Sequence, residues 1–304
     1  MITVIVTSYK EPKATIKAVR TILEQNLPKP FRIIISDPFP EVKDLIKQEF
    51  KNNPEIQFFL DPGEGKSECL NLLLEMYYSN NKTDILIFTD GDVFLGQNSI
   101  NELLIQFQDQ KVGLVCGHPV PLNSRSNMYG YWSHLFFDEM NSTRIKLSNN
   151  DEFFRITGYL FAFRNGIIKE FPRDTNEDKV IPSIFWNKGY RIVYAPKATV
   201  HVLNPQNMKD YLTQKVRNIK GGLALQKRTD LVHEKQSNFI SESLRGLKVL
   251  VTYPKNIKEF IWTLTAMYAR LLAWSKAYYE TKIKKKKYHD GWRVNTTDST
   301  KPMD

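Results

Sequence analysis

The sequence predicts an α/β fold, a mostly parallel sheet flanked by helices with a helical basic tail behind it. Three observations predict it. Short β-branched runs alternate with helical patterns through the first half, as βαβ units do. Polar or acidic residues follow directly after four successive runs, where an open α/β sheet binds its ligands. The 304 residues, 41% hydrophobic, suffice for one large domain and a tail.

In order, the strands read as Thr3–Thr7, Phe31–Ser36, Ile56–Leu60, Ile85–Thr89 and Val112–Cys116. Pro12 in a first turn and Ser99 after Gln97-Asn98 mark helix starts between them. A helix over 65–79 carries Leu70, Leu73, Leu74 and Tyr77 on one face. The stretch from His118 to Asn150 is aromatic and irregular, and reads as an insertion or as a helix packed on the sheet. Thr157–Phe163 reads as a further strand, and Asn176-Glu177-Asp178 as a loop before a helical pattern through Ile184, Phe185 and Trp186. Strands near Arg191–Ala195 and Thr199–Val202 and a long polar helix, Met208–Lys227, complete the body. The expected division is a body over 1–228, a helical region over 229–283 and a disordered basic, polar tail over 284–304.

The formal charge of +10 is unevenly spread. From Lys255 onward eleven Lys and Arg stand against five Asp and Glu, so the body is only mildly basic. A uniformly basic domain would point to nucleic acid, whereas a basic tail points to an interaction segment such as an anionic membrane face. Cys69 and Cys116 have no C-x-x-C spacing, so neither a disulfide framework nor a zinc site is expected, and a reducing, cytoplasmic setting fits. The opening Ile2-Thr3-Val4-Ile5-Val6 has no signal-peptide pattern, so no export is expected. Between Glu259 and Lys276 an apolar stretch is interrupted by Arg270 and is too short for a span of roughly 20 apolar residues, so an interfacial helix is expected.

Asp90-Gly91-Asp92, directly after Ile85-Leu86-Ile87-Phe88, is the sharpest chemical feature. A hard divalent cation takes carboxylate oxygens, and a diphosphate supplies further ligands, so an acidic pair at a strand end suits Mg²⁺ or Mn²⁺ against a nucleotide sugar. The plain alternative is a solvated Asp-Gly turn. Glu177-Asp178 offers a base for an acceptor hydroxyl, if the fold brings it to the same edge, and one carboxylate is enough when the leaving group is a diphosphate. Arg217 is suited to diphosphate oxygens by its planar fork, with Gln214 one turn before it, and neutral His201 to the metal. A surface arginine and a satisfied strand histidine are the alternatives. Gly63-Glu64-Gly65-Lys66 looks like a phosphate loop, yet the G-x-x-x-x-G-K-[ST] pattern is not met, and an ATPase is not expected.

Taken in order, these pieces resemble glycosyltransferase family 2, inverting enzymes of the GT-A fold, over roughly residues 2–222. Val6-Thr7-Ser8-Tyr9-Lys10-Glu11 resembles the family's first strand and nucleotide-contacting turn, and Asp37 its second-strand acid. Gly65-Lys66-Ser67-Glu68-Cys69-Leu70-Asn71 resembles the G-K-x-x-A-L-N segment, with Cys69 for Ala, and Asp90-Gly91-Asp92 the D-x-D motif. The resemblance implies donor contacts from Thr7, Tyr9, Glu11, Asp37, Lys66, Asp90, Gln214 and Arg217, a metal held by Asp92, and Asp178 as base beside Glu177. It implies an acceptor wall around Gly158 and Tyr159. Gln214-Lys215-Val216-Arg217-Asn218 resembles Q-x-x-R-W with Asn218 for Trp, which implies single transfer rather than processive synthesis.

The function expected is therefore metal-dependent transfer of a sugar, from a UDP-sugar first, to a hydroxyl of a lipid-linked or glycan acceptor. A nucleotidylyltransferase is the enzymatic alternative, but no glycine-rich basic loop follows the first strand. A non-catalytic binder of nucleic acid or membrane through the tail is the other alternative. The acidic candidate site disfavours nucleic acid as a partner. Phe260, Ile261, Leu264, Tyr268, Leu271, Leu272 and Trp274 recur at helical spacing before Lys282–Lys287, which fits peripheral attachment at the cytoplasmic face of a membrane. A helix packed on the body with a solvated end fits the same pattern.

Overall fold

A computed structural model describes residues 1–174, 176–225, 249–285 and 298–302. Eight strands form one sheet in the order β3-β2-β1-β4-β7-β6-β8-β5: β1 (Ile2–Thr7), β2 (Phe31–Asp37), β3 (Ile56–Leu60), β4 (Ile85–Asp90), β5 (Phe94–Leu95), β6 (Val112–Pro121), β7 (Leu160–Arg164) and β8 (Arg191–Val202). Parallel pairing joins β1 to β2 and β4, β2 to β3, and β6 to β8. Strand β7 runs against both neighbours, and β5 against β8. Six strands therefore deliver their carboxyl ends to one edge, and the reversed β7 begins there.

Both faces of the sheet are covered, which is why its inner strands are apolar throughout. Side chains alternate across a strand. Val4, Val6, Ile33 and Ile35 meet Val19 and Ile22 of α1 (Pro12–Leu23) and Val42 and Ile46 of α2 (Pro40–Glu49). Ile5, Ile34, Leu86 and Phe88 meet Leu70 and Leu73 of α3 (Lys66–Met76). The same face takes Val180, Ile181 and Phe185 of α6 (Glu177–Asn187). Each such side chain, fully buried, contributes about 1.5–3 kcal/mol. Helix α1 starts at Pro12, whose missing N–H costs nothing in a first turn, and buries Ala14, Ala18 and Ile22 at four-residue steps. Helix α4 (Ser99–Leu104) follows β5 and closes against β8.

The aromatic stretch after β6 is helix α5 (Met128–Asn149), capped by Asn127 through Gly130 N–H at 2.9 Å. Together α5, α7 (Met208–Leu225) and α8 (Ile257–Tyr278) form a lateral layer. Trp132 Nε1 donates to Trp262 O at 2.7 Å, and the Tyr131 and Thr263 hydroxyls lie 2.6 Å apart. No helix of the described residues is long and apolar enough to cross a membrane.

Three expectations need correcting, and a fourth runs past the described residues. The strand placed at Thr157–Phe163 is β7, Leu160–Arg164, because pairing with β4 starts at Thr89–Leu160 and leaves Gly158-Tyr159 as its approach. Arg191–Ala195 and Thr199–Val202 are one strand, whose register shift opposite Cys116 and His118 absorbs the residues around Pro196. Glu177-Asp178 stand in the first turn of α6, not in a loop. The long polar helix is described to Leu225; residues 226–248, the lysines 286–287 and positions 288–297 lie outside the described residues.

Candidate active site

The site is built at the edge to which the strands deliver their carboxyl ends. Thr7 ends β1 and Asp90 ends β4, in register, and the Thr7 hydroxyl donates to Asp90 Oδ1 at 2.9 Å. Gly91 N–H donates to Thr7 O at 2.7 Å, which turns the chain sharply between the two carboxylates. A Cβ at Gly91 would lie 2.8 Å from Thr15 Oγ1 and 2.9 Å from Ser8 Cβ, so no larger residue fits there unless its neighbours move. Asp92 is buried.

Lys66 opens α3 after Gly65, whose φ of +110° suits a residue without Cβ. Its Nζ lies 2.6 Å from Asp90 Oδ1 and 2.9 Å from Glu177 Oε1. Burial works against the Lys66 charge, but Asp90 and Glu177 outweigh it and hold the ammonium well above its usual range. Burial also pushes Glu177 up, yet Lys66, by charge and hydrogen bond, and Arg217 bring it below the usual carboxylate range. Asp90 stands above that range, because burial and the charges of Asp92 and Glu177 outweigh Lys66.

Glu177 and Asp178 sit at the N-terminus of α6, where the helix dipole favours negative charge. Pro182 in the same helix cannot donate to the Asp178 carbonyl four residues back, which loosens that turn. Asp178 Oδ1 is buried and has no hydrogen-bond partner among the described residues. Burial, joined by the Glu177 charge, raises the Asp178 carboxyl against the pull of Lys179, Arg217 and Lys66. A carboxylate held in this way is a stronger base than one in water.

Gly158 belongs to the same cluster, since a Cβ there would lie 3.0 Å from Glu177 Oε1 and 3.6 Å from Lys66 Nζ. Tyr159 is anchored through its carbonyl, which accepts from the Thr89 hydroxyl at 2.8 Å. Arg217 approaches from α7 closely enough to act on both Glu177 and Asp178, and Gln214 is half-buried one turn earlier on that helix.

A second group lies beside the first, at the ends of β1 and β2. Asp37 is fully buried and accepts from Lys10 N–H and Phe39 N–H, both at 2.9 Å. Burial, the largest influence, keeps its carboxyl above the usual range. Tyr9 stands edge-on to Phe39 at 5.2 Å between ring centres, and Glu11 is buried at the start of α1. His201 lies outside the Lys66 network, on β8 opposite Phe94, two residues beyond Asp92.

Thr7, Lys66, Asp90, Gly158, Glu177, Asp178 and Arg217 thus come together from five elements and the approach to β7. Sequence reasoning missed Lys179, whose Nζ bonds Asn218 O and, at 3.2 Å, Asn176 Oδ1. Burial, with the charges of Arg155 and Arg217, pushes Lys179 down to about 8. Its one sequence signal was adjacency to Asp178. A cavity of about 310 Å³ bounded by Asp151, Trp186 and Arg191 opens at the opposite edge and includes none of these residues.

Among the described residues no cluster of three or more His, Cys, Asp or Glu forms a ready-made metal cage. A divalent ion held partly by a ligand's phosphates needs only one or two carboxylates, and the Asp90-Gly91-Asp92 turn offers these.

Comparison with known proteins agrees with this geometry. The model of a family described as glycosyltransferase like family 2 matches residues 1–221. An N-acetylglucosaminyltransferase of Rhizobium meliloti (strain 1021) is 22% identical over 236 residues, 70% of this chain and 54% of that protein. The chain spans about half the length of the curated relative it matches.

Proposed function

The chain belongs to the glycosyltransferase like family 2, and from that premise we propose that it moves one sugar per turnover, with inversion, from a nucleotide-diphosphate sugar to a hydroxyl of a lipid-linked or glycan acceptor. The observation that carries this reading is the convergence of Asp178, a buried carboxylate with one oxygen unbonded among the described residues, on the edge where Asp90 ends β4 and Asp92 follows it.

Asp178 takes the proton of the acceptor hydroxyl as that oxygen attacks the anomeric carbon from the face opposite the diphosphate. Glu177 keeps its charge on Lys66 and does not compete for that proton. Lys66, with two of its N–H groups on carboxylates, fixes α3, β4 and α6 in one arrangement and so holds the base in place. Arg217 presents a planar fork suited to diphosphate oxygens. Asp37, Tyr9 and Glu11 form the side on which the nucleoside would rest. Gly158 and Tyr159 line the acceptor side, where the absent Cβ at 158 leaves room beside Glu177.

Asp92, with His201 from β8, would hold Mn²⁺ or Mg²⁺, and the bound ion would neutralise charge on the departing diphosphate. Asn218, in the place of a tryptophan, gives its carbonyl to Lys179 and offers no aromatic platform for a growing chain, which favours single transfer. The relative's name makes N-acetylglucosamine the first sugar to try and UDP the first nucleotide.

The test is calorimetric titration of UDP, GDP and dTDP with and without Mn²⁺, on wild type and Asp92→Ala. The expected result is metal-dependent binding of UDP that Asp92→Ala abolishes. Failure of wild type to bind any of the three would sink the reading.

A further inference from the structure

Helix α8 turns its alanines inward, beside half-buried Trp262 and Trp274, and a stripe of large apolar residues outward. Ala266, Ala269, Ala273 and Ala277 are at most 1% exposed and, with Thr263, lay the helix close on α5 and α7. Ile257, Phe260, Ile261, Leu264, Tyr268 and Leu271 are 42–80% exposed. Steps of three and four residues keep these six on one stripe, which follows a 22-residue helix of about 33 Å. A helix facing water shows the reverse pattern. Packing on the body uses the alanines, so the outward side chains are not needed to hold α8 in place. An apolar surface of this length on a folded domain marks a contact site.

Charge identifies the partner. No Asp, Glu, Lys or Arg stands at the stripe positions. The acids of the region are turned inward and neutralised: Glu259 pairs with Arg125 and Glu280 with Lys220, both at 3.1 Å. The lysines are left at the borders. Lys258 lies over Trp262 at 4.6 Å and Lys284 over Tyr279 at 5.2 Å, with Lys276, Lys282 and Lys285 beside or beyond the stripe. Apolar side chains and tyrosines bordered by lysines suit the boundary between headgroups and acyl chains of an anionic bilayer. A second copy laid on the same stripe would instead set lysine against lysine.

We propose that the outward face of α8 docks this protein on an anionic lipid bilayer, with the helix lying in the membrane plane. No described helix can span, so the attachment is to one leaflet. Because α8 packs on α7, which carries Gln214 and Arg217, docking brings that wall of the site toward the membrane. The proposal goes beyond sugar transfer and stands or falls without it.

The test is flotation of the full chain, without nucleotide, with phosphatidylcholine vesicles and with vesicles containing phosphatidylglycerol. Wild type should float with the anionic vesicles. A Phe260→Ser/Leu264→Ser/Leu271→Ser variant, whose alanine face is untouched, should lose at least about tenfold in vesicle affinity while keeping its far-UV circular dichroism. A Lys282→Glu/Lys284→Glu/Lys285→Glu variant should lose the preference for anionic lipid. Absence of wild type from the floated fraction overturns the proposal, whether light scattering then shows a monomer or a dimer.

Discussion

Lys66 Nζ lies 2.9 Å from Glu177 Oε1, tying the first turn of α3 to the first turn of α6. The same ammonium holds Asp90, so its loss leaves two carboxylates facing each other with no cation between them. Lys66→Met should therefore destabilise the fold by roughly 2–4 kcal/mol at neutral pH, as removal of one partner from a largely buried ion pair does. Glu177 is held low, so its contribution is present above the ordinary carboxylate range and lost as pH falls through its lowered value. The deficit should shrink in acid for that reason. Urea denaturation at pH 7 and pH 4 measures both, and in Lys66→Met/Glu177→Gln the combined loss should be smaller than the two single losses together.

Asp178 is shifted in the opposite direction, and its pH behaviour follows. A base must be deprotonated to act, so kcat/KM should fall as pH drops through a value above the ordinary Asp range. Asp178→Asn should lower kcat by about 10²–10⁴-fold while leaving nucleotide affinity intact. Its stability should change as well. Above the raised folded-state value the wild-type chain holds a buried charge, so Asp178→Asn should melt higher at neutral pH. Below the unfolded-state value both chains are neutral there and the difference should vanish. A variant that loses nucleotide binding along with turnover would remove Asp178 from the role of base.

Arg217 acts on two observables. Its charge lowers both Glu177 and Asp178, so Arg217→Met should move the acid limb of the rate profile to higher pH. Arg217→Lys keeps the charge and loses the fork, so it should leave that limb near its wild-type position and raise the donor KM by about tenfold. Measuring kcat/KM against pH for both variants separates charge from geometry. An unmoved limb in Arg217→Met would place the arginine away from the base.

The strands were legible because each inner strand is buried on both faces and is written as an apolar β-branched run. Their polar sequels, Thr7, Asp37, Lys66 and Asp90, were legible because an α/β sheet gathers such residues at one edge. The start of α6 was hidden by Pro182, which reads as a helix boundary, yet at the sixth position of the helix it removes only the partner of the Asp178 carbonyl. The burial of Lys179 and its approach to Arg155 and Arg217 depend on how α6 meets α7, and no local pattern encodes that. The period of α8 was readable, but not which side faces the body. A stripe of Phe, Ile and Leu is ordinarily the buried side, and here the alanines take that place against α5 and α7, with Trp262 and Trp274 half-buried beside them.

Gly91 separates the two carboxylates of the β4 turn and gives the sharpest steric test of the site. An added Cβ would stand 2.8 Å from Thr15 Oγ1 and 2.9 Å from Ser8 Cβ, and both neighbours are fixed. The Ser8 and Thr15 hydroxyls lie 2.6 Å apart, and Thr15 Oγ1 also donates to Glu11 O at 2.8 Å. The turn can therefore yield only by moving Asp90 or Asp92, or by prising β1 from α1. Gly91→Ala should cost about 1–3 kcal/mol in stability. The displacement falls between the residue that bonds Lys66 and the residue proposed to hold the ion, so metal-dependent nucleotide affinity should fall further than stability alone explains. Gly189→Ala is the control, because its φ of +80° strains any side chain while no atom of the described residues lies near enough to clash. That variant should lose stability and keep nucleotide affinity; equal loss of affinity in both would mean that Gly91 reports only on folding.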